Sequence, residues 1–363
     1  MVRGPTEGNE PALVSLADYE REAAARLGEA AFAYCAGGAA DELTLRDNDA
    51  AWRRIAIMPR VLVGVGSRDP SVTVLGRRRP HPLIAAPMAF QRLAHPDGEC
   101  ATARAAAATD TVFCLSTLAS TSVPALAAEV PQVDRWFQLY VLRDRGVTRD
   151  LVSQAVENGY EAIVLTVDLP VGGVRERELR SPAQAPLAGT VEAALTAVGG
   201  VNPMRAIAQV DPDLRWSDVA SLARDCTLPV IIKGILTPDD AELACAHGAR
   251  GVVVSNHGGR QLDTVLSGAD ALTAVVDQVG DRLDVLVDGG IRRGTDVLKA
   301  LALGARAVLV GRPLLWGLAV AGEDGAAAVL KTLLDEFDRA LALAGAPSAE
   351  RLGREWLTHA HAR

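Results

Sequence analysis

The sequence has no CxxC pair and no cysteine–histidine spacing of the zinc-finger kind, although it carries five cysteines, at positions 35, 100, 114, 226 and 245. A disulfide framework and a structural metal centre are therefore not expected. The thiols read as reduced, buried or incidental, as in a cytoplasmic protein. Positive charge is also short: 37 Lys and Arg against 45 Asp and Glu give a formal net charge of −8. That balance excludes the basic face a nucleic-acid partner requires. The one basic cluster, Arg77-Arg78-Arg79, reads as a solvated turn. No run of 18 apolar residues occurs, and the nearest approach, 185–201, is broken by Glu192 and three glycines, so no membrane span is expected. Residues 1–11 are polar and acidic and predict no secretory leader.

What is present points to a large core. Hydrophobic residues make up 49% and charged residues 23% of 363, a length that suits an α/β barrel with extensions. Short apolar runs recur at 83–86, 112–115, 136–140, 162–167, 229–233, 251–255, 285–288 and 307–310. Helical stretches at 98–108, 147–158, 217–225, 238–247, 270–279 and 294–303 separate most of them. Alternating strand and helix means parallel strands with right-handed crossovers. Eight units predict a closed (β/α)8 TIM barrel, with an open doubly wound sheet as the competing architecture.

The barrel domain is expected over 15–352, after a tail at 1–14 and before a second tail at 353–363. A helical extension covers 15–36, with Ser15 as N-cap, Asp18 three residues on and Gly37-Gly38 at its end, followed after Asn48 by a connecting region. Residues 183–215, between the fourth and fifth strands, are too long for an ordinary connection and read as a lid over the barrel mouth.

In a barrel, reactive groups belong at the C-terminal ends of the strands. Each expected strand end here carries such groups: Pro87-Met88-Ala89, Ser116-Thr117, Gln138 with Tyr140, Thr166-Val167-Asp168, Lys233-Gly234, His257 with Arg260, Asp288 to Arg292, and Gly311-Arg312. The glycines after strands seven and eight let backbone N–H groups approach an anion, and Arg292 and Arg312 add charge, as a phosphate site in such a barrel requires. Lys233 leaves its strand as either a nucleophile or a fixed cation. His257 and Arg260, three residues apart, fit a chemistry with a proton to remove and a carboxylate to hold. Asp168 fits a carboxylate that orients and stabilises that histidine.

Two motifs then carry a resemblance over about 15–352: Ser255-Asn256-His257-Gly258-Gly259-Arg260-Gln261-Leu262-Asp263 and Asp288-Gly289-Gly290-Ile291-Arg292-Arg293-Gly294-Thr295-Asp296. The chain resembles the FMN-dependent (S)-2-hydroxy-acid oxidases and dehydrogenases, the family of glycolate oxidase, lactate oxidase, mandelate dehydrogenase and 4-hydroxymandelate oxidase. The resemblance implies an FMN enzyme in which His257 is the base, Asp168 stabilises its protonated form, Arg260 holds the substrate carboxylate, and Arg175 is the second active-site arginine, on the substrate side. It implies that Tyr34 hydrogen-bonds that carboxylate and that Tyr140 faces the substrate hydroxyl. For FMN it implies Lys233 near the reduced ring, the segment Pro87, Met88 and Ala89 beside it, polar contacts from Ser116, Gln138, Thr166 and Ser255, and ribityl and phosphate contacts from Asp288, Gly290, Arg292, Gly311 and Arg312.

Two departures bear on the substrate. Glycolate oxidase-like relatives place Trp where this chain has Leu118 and Leu where it has Gly172. Both changes remove bulk beside the substrate, so an aryl acid, mandelate or 4-hydroxymandelate, is the expected substrate, with a short-chain glycolate or lactate oxidase as the alternative. Ala89 in place of Gly favours O2 as acceptor, giving H2O2, over a soluble dehydrogenase using another acceptor. Membrane-bound mandelate dehydrogenases carry an anchor in the 183–215 region, whereas here it contains Glu192, Asp211, Asp213 and Arg215, which favours a soluble enzyme. The resemblance implies a homotetramer. A non-catalytic FMN-binding scaffold is the remaining reading, disfavoured by retention of His257, Asp168, Arg260 and both tyrosines.

Overall fold

The computed structural model describes residues 13–181 and 209–359. Eight parallel strands close into a barrel: β1 (Leu83–Ala85), β2 (Val112–Ser116), β3 (Arg135–Leu139), β4 (Ile163–Thr166), β5 (Val230–Ile235), β6 (Gly251–Val254), β7 (Asp284–Asp288) and β8 (Ala307–Val310). Each pairs with its successor, and β8 pairs with β1 through Val308–Leu83 and Leu309–Ile84. Runs such as Gly251-Val252-Val253-Val254 and Ala307-Val308-Leu309-Val310 are buried at every position. A parallel strand is covered by side chains inside the barrel and by helices outside it, so it has no polar face to alternate with.

The helices follow from the same sequence logic. Three precede the barrel: α1 (Leu16–Arg26), α2 (Glu29–Ala36) and α3 (Leu43–Arg54). The crossovers hold α4 (Gly98–Ala107), α5 (Val123–Glu129), α6 (Arg145–Glu157), α7 (Glu176–Arg180), α8 (Trp216–Asp225), α9 (Pro238–Ala246), α10 (Gly268–Val279) and α11 (Gly294–Ala302), and α12 (Arg312–Ala344) closes the ring. Ser122, Asp144, Thr237 and Ser267 cap their helices through side-chain oxygens. Each such cap contributes ~1 kcal/mol and fixes where the loop above the strand ends.

Four expectations are corrected. The helix expected over 15–36 is two helices, because Leu27 and Gly28 are extended and turn the chain between them; Ser15 does form the capping box with Asp18. The region after Asn48 is not yet a connection, since α3 runs on to Arg54 and buries Trp52. Arg77-Arg78-Arg79 is not a turn but a short strand paired with Val72–Val74, and Arg79 is buried against Asp134 and Glu161. The stretch expected as a C-terminal tail is structured as far as His359: Trp356 is buried, and Leu357–His359 pairs antiparallel with Ile55–Ile57.

Of the expected lid at 183–215, residues 183–208 lie outside the described residues. Residues 209–215 return along the barrel, with Val210 bridged to Leu142 and Asp211 ion-paired to Arg145 at 2.6 Å. Among the described residues α12 alone is long and apolar enough to cross a membrane, but most of its apolar side chains are buried against α1, α4 and α11.

Candidate active site

One cavity opens at the C-terminal ends of the strands, where the sequence placed the chemistry. Its wall takes Tyr34 from α2, Pro87, Met88 and Ala89 from the loop after β1, Ser116 and Leu118 from β2, and Gln138 and Tyr140 from β3. It continues with Thr166, Arg175, Lys233, His257, Arg260, Asp288, Gly290, Arg292, Gly311 and Arg312. Side chains some 280 positions apart therefore share one space because parallel strands end at one rim.

His257 sits in the left-handed region at φ 59°. Its N–H donates to Ser255 Oγ at 3.0 Å, and the same oxygen accepts from Lys233 Nζ at 2.7 Å. The ring Nδ1 lies 2.8 Å from Asp168 Oδ1. Burial alone would raise the Asp168 carboxyl, but the facing His257 ring and the Lys233 charge hold it below the usual carboxylate range. An ionised carboxylate only accepts, so Nδ1 carries the proton and Nε2, which has no partner among the described residues, keeps its lone pair for the cavity. Asp168 itself stands behind the wall, packed on the backbone of β5. A Cβ at Gly234, whose φ is +110°, would lie 2.7 Å from the Asp168 side chain. The Lys233-Gly234 pair thus reflects two demands, a cation in the cavity and room for the carboxylate behind it.

Arg260 Nη1 donates to the backbone oxygens of Tyr34 at 2.6 Å and Gly37 at 3.2 Å, and its guanidinium stacks 4.8 Å above the Tyr34 ring. Arg175 stands beside it, and burial together with the Arg260 charge pulls its pKa below the usual range. Burial raises both Tyr34 and Tyr140, so both phenols are neutral donors at ordinary pH. This corner has two cations and two phenols on one side and a basic imidazole nitrogen on the other. It can hold a carboxylate and take a proton from the adjoining carbon or hydroxyl.

Next to this corner the cavity gathers further positive charge, and Arg260 and Arg312 both donate to the Gly37 carbonyl. Arg312 donates to the carbonyls of Cys35, Gly37 and Gly258 and has no carboxylate in ion-pair range among the described residues. Burial, with Arg260 and Arg292 close by, pushes it down to about 9. Arg292 stacks on Trp316 and reaches Asp49 only at 3.5 Å. Lys233 is buried at the same cavity. Burial would lower it, but Asp288 at 3.0 Å and Asp168 raise it, so it stays charged. The second Asp288 oxygen is buried without a partner. Two guanidiniums at the start of α12 and after β7, an unpaired Asp288 oxygen and a buried ammonium paired with that carboxylate fit a ligand with a phosphate, a polyhydroxyl chain and a ring that gains negative charge. FMN has these parts.

Three expected residues stand differently from the rest. Asp168 and Ser255 lie off the cavity and act on His257 and Lys233 from behind. Gly172 is exposed and does not line the cavity: Gly173 packs on the Arg260 and Gln261 carbonyls, and Gly172 beside it is left at the surface. The bulk removed near the substrate is therefore that at Leu118 alone. Gly290 does line the cavity, but it is glycine for another reason. At φ +78° its Cβ would overlap the Asn48 carbonyl of α3.

Sequence reasoning missed α3 itself as part of the site. Asn48 and Asn256 exchange amide hydrogen bonds at 2.9 and 2.8 Å, and Trp52 Nε1 donates to Gly289 O at 2.9 Å. It also missed Phe90, left-handed at φ 56° and tied to Leu118 O at 3.1 Å, and Glu178 beside both Arg175 and Arg260. Only the strand-end position of the 87–90 loop signalled Phe90 in advance.

Comparison with known proteins agrees with this geometry. The FMN-dependent dehydrogenase family profile matches residues 23–359. L-lactate oxidase of Nostoc sp. is 45% identical over 95% of this chain and 98% of its own. Glycolate oxidase 1 of Zea mays is 45% identical over 94% and 95%. Among solved structures, mandelate oxidase with benzoyl-formic acid superposes with a TM-score of 0.87 at 42% identity, covering 96% of this chain and 99% of that one. A soluble mutant of the membrane-associated (S)-mandelate dehydrogenase of Pseudomonas putida gives 0.90 at 36% identity, covering 96% and 100%.

Proposed function

We propose, from the premise that this chain belongs to the FMN-dependent dehydrogenase family, that it is an oxidase of aryl (S)-2-hydroxy acids. As a family member it is an FMN enzyme that oxidises 2-hydroxy acids to 2-oxo acids. The observation that carries the site reading is the pairing of His257 on Asp168 with Arg260 and Arg175 in one cavity. Arg260 and Arg175 hold the substrate carboxylate, and Tyr34 and Tyr140 orient carboxylate and hydroxyl. FMN, which Lys233, Asp288, Arg292 and Arg312 would hold, would supply the two-electron acceptor for the substrate carbon. His257 takes up a proton at Nε2, Asp168 stabilises the resulting imidazolium, and the Lys233 ammonium offsets negative charge that develops on the cavity floor. Two electrons and two protons leave the hydroxy acid, and passage of both to O2 gives H2O2.

The aryl assignment is supported by Leu118, buried in the cavity wall where glycolate oxidase-like relatives carry Trp, and by the likeness to mandelate oxidase. Anaerobic mixing of the yellow protein with (S)-mandelate, (S)-4-hydroxymandelate, glycolate and (S)-lactate, followed by air, tests it. Faster bleaching by the aryl acids and rapid recolouring are expected. Faster bleaching by glycolate or lactate would establish the short-chain reading, and slow recolouring a different acceptor. Leu118→Trp should shift the kcat/KM ratio of mandelate to glycolate towards glycolate by about tenfold or more.

We also infer a soluble, cytoplasmic homotetramer. The five unpaired thiols support a reducing compartment, and Val61, Leu62 and Val63, together exposed on the surface, support a face between copies. Light scattering should give four times the chain mass; a monomer mass would exclude this assembly.

A further inference from the structure

Arg175 and Arg260 share a third partner. Glu178, in the short helix α7, places Oε1 3.5 Å from Arg175 Nη1 and 3.2 Å from Arg260 Nη2. One carboxylate oxygen faces both guanidiniums. The two arginines line the cavity and Glu178 does not, so it reaches them from outside the wall. Arg260 is also held by the Tyr34 and Gly37 carbonyls, whereas Arg175 has no other carboxylate in ion-pair range among the described residues.

We propose that Glu178 is a positioning residue that acts as a resident carboxylate for this arginine pair. It keeps two like charges together in a partly buried place and lowers their affinity for an incoming carboxylate. The proposal rests on the reading of the pair as the substrate-carboxylate site. The charge count gives its direction. Two guanidiniums and Glu178 sum to +1, so one bound monocarboxylate brings the cluster to zero. Without Glu178 the pair keeps surplus positive charge after the anion has bound. Substrate and 2-oxo acid product carry the same carboxylate, so the surplus would tighten both. With Glu178 present, the anion is held mainly by the geometry of the guanidinium forks, and the product leaves more readily.

Glu178→Gln isolates this effect, because the amide keeps an acceptor oxygen in place and removes only the charge. Glu178→Ala serves as a second neutral variant, and Glu178→Asp keeps the charge on a shorter arm. The probe is benzoate, a carboxylate with no hydroxyl to oxidise, titrated into the yellow holoenzyme and read by perturbation of the flavin absorbance. Both neutral variants should bind benzoate about tenfold more tightly than wild type, and KM for (S)-mandelate should fall in parallel. Glu178→Asp should stay close to wild type. Unchanged or weaker benzoate binding in both neutral variants would overturn the proposal while leaving the carboxylate site intact. Wild-type enzyme that binds neutral benzamide as tightly as benzoate would overturn the carboxylate reading itself, and the proposal with it.

Discussion

Replacing His257 by Ala is expected to slow reduction of the flavin by substrate about 10²- to 10⁴-fold, the range a positioned general base supplies. The protein should remain yellow, because Lys233, Asp288, Arg292 and Arg312, the groups that fit FMN, touch the imidazole nowhere. At φ 59° a residue other than Gly, Asn or Asp costs ~1–2 kcal/mol, and His257 already carries that strain. His257→Asn tolerates the left-handed conformation and still lacks a base, so it separates chemistry from strain. Both variants should show the same collapse in anaerobic stopped-flow reduction. Reduction within tenfold of wild type in either would show that the proton goes elsewhere.

The second large effect is expected at Arg260. Arg260→Met keeps the length of the side chain and its packing on Tyr34 but removes the fork, and kcat/KM for a 2-hydroxy acid should fall about 10²- to 10³-fold. Loss of one partner of a buried, hydrogen-bonded charge pair costs ~2–5 kcal/mol. The loss should exceed that in Arg260→Lys, which restores charge but not bidentate geometry. Glu178 sharpens the prediction. In Arg260→Met its carboxylate is left with Arg175 alone, so the anion site drops to zero net charge before substrate arrives. Steady-state kinetics on mandelate and glycolate should show the loss mainly in KM. An unchanged KM would place the substrate carboxylate elsewhere.

The barrel was legible because its strands are buried on both faces and read as unbroken apolar runs between capped helices. The rim chemistry was legible because the topology puts every strand end on one side, so His257, Lys233, Asp288 and Arg312 could be gathered without knowing a single distance. What could not be read depends on contacts between segments far apart in sequence. Asn48 and Trp52 matter because α3 lies over the loops after β6 and β7, and nothing in Leu43–Arg54 announces that resting place. Glu178 is one of several acids in a charged stretch, and its place beside two arginines appears only once α7 folds onto the β6 loop. Gly172 misled because two adjacent glycines have equivalent sequence signals, while only Gly173 meets the Arg260 and Gln261 backbone. The break in α12 at Ala321 and Gly322, beside His95, and the pairing of Leu357–His359 with Ile55–Ile57 are likewise tertiary.

Asp288, Lys233, Asp168 and His257 form a row of alternating sign that passes behind the cavity wall at Asp168, with contacts of 3.0 Å at one end and 2.8 Å at the other. At rest the row holds two carboxylates, one ammonium and a neutral ring, an excess of one negative charge. When the ring accepts a proton, the excess disappears. In the proposed reaction the imidazolium therefore forms beside a negative charge that is already in place, so its formation leaves this row of side chains balanced rather than adding an unmatched ion to a poorly solvated place.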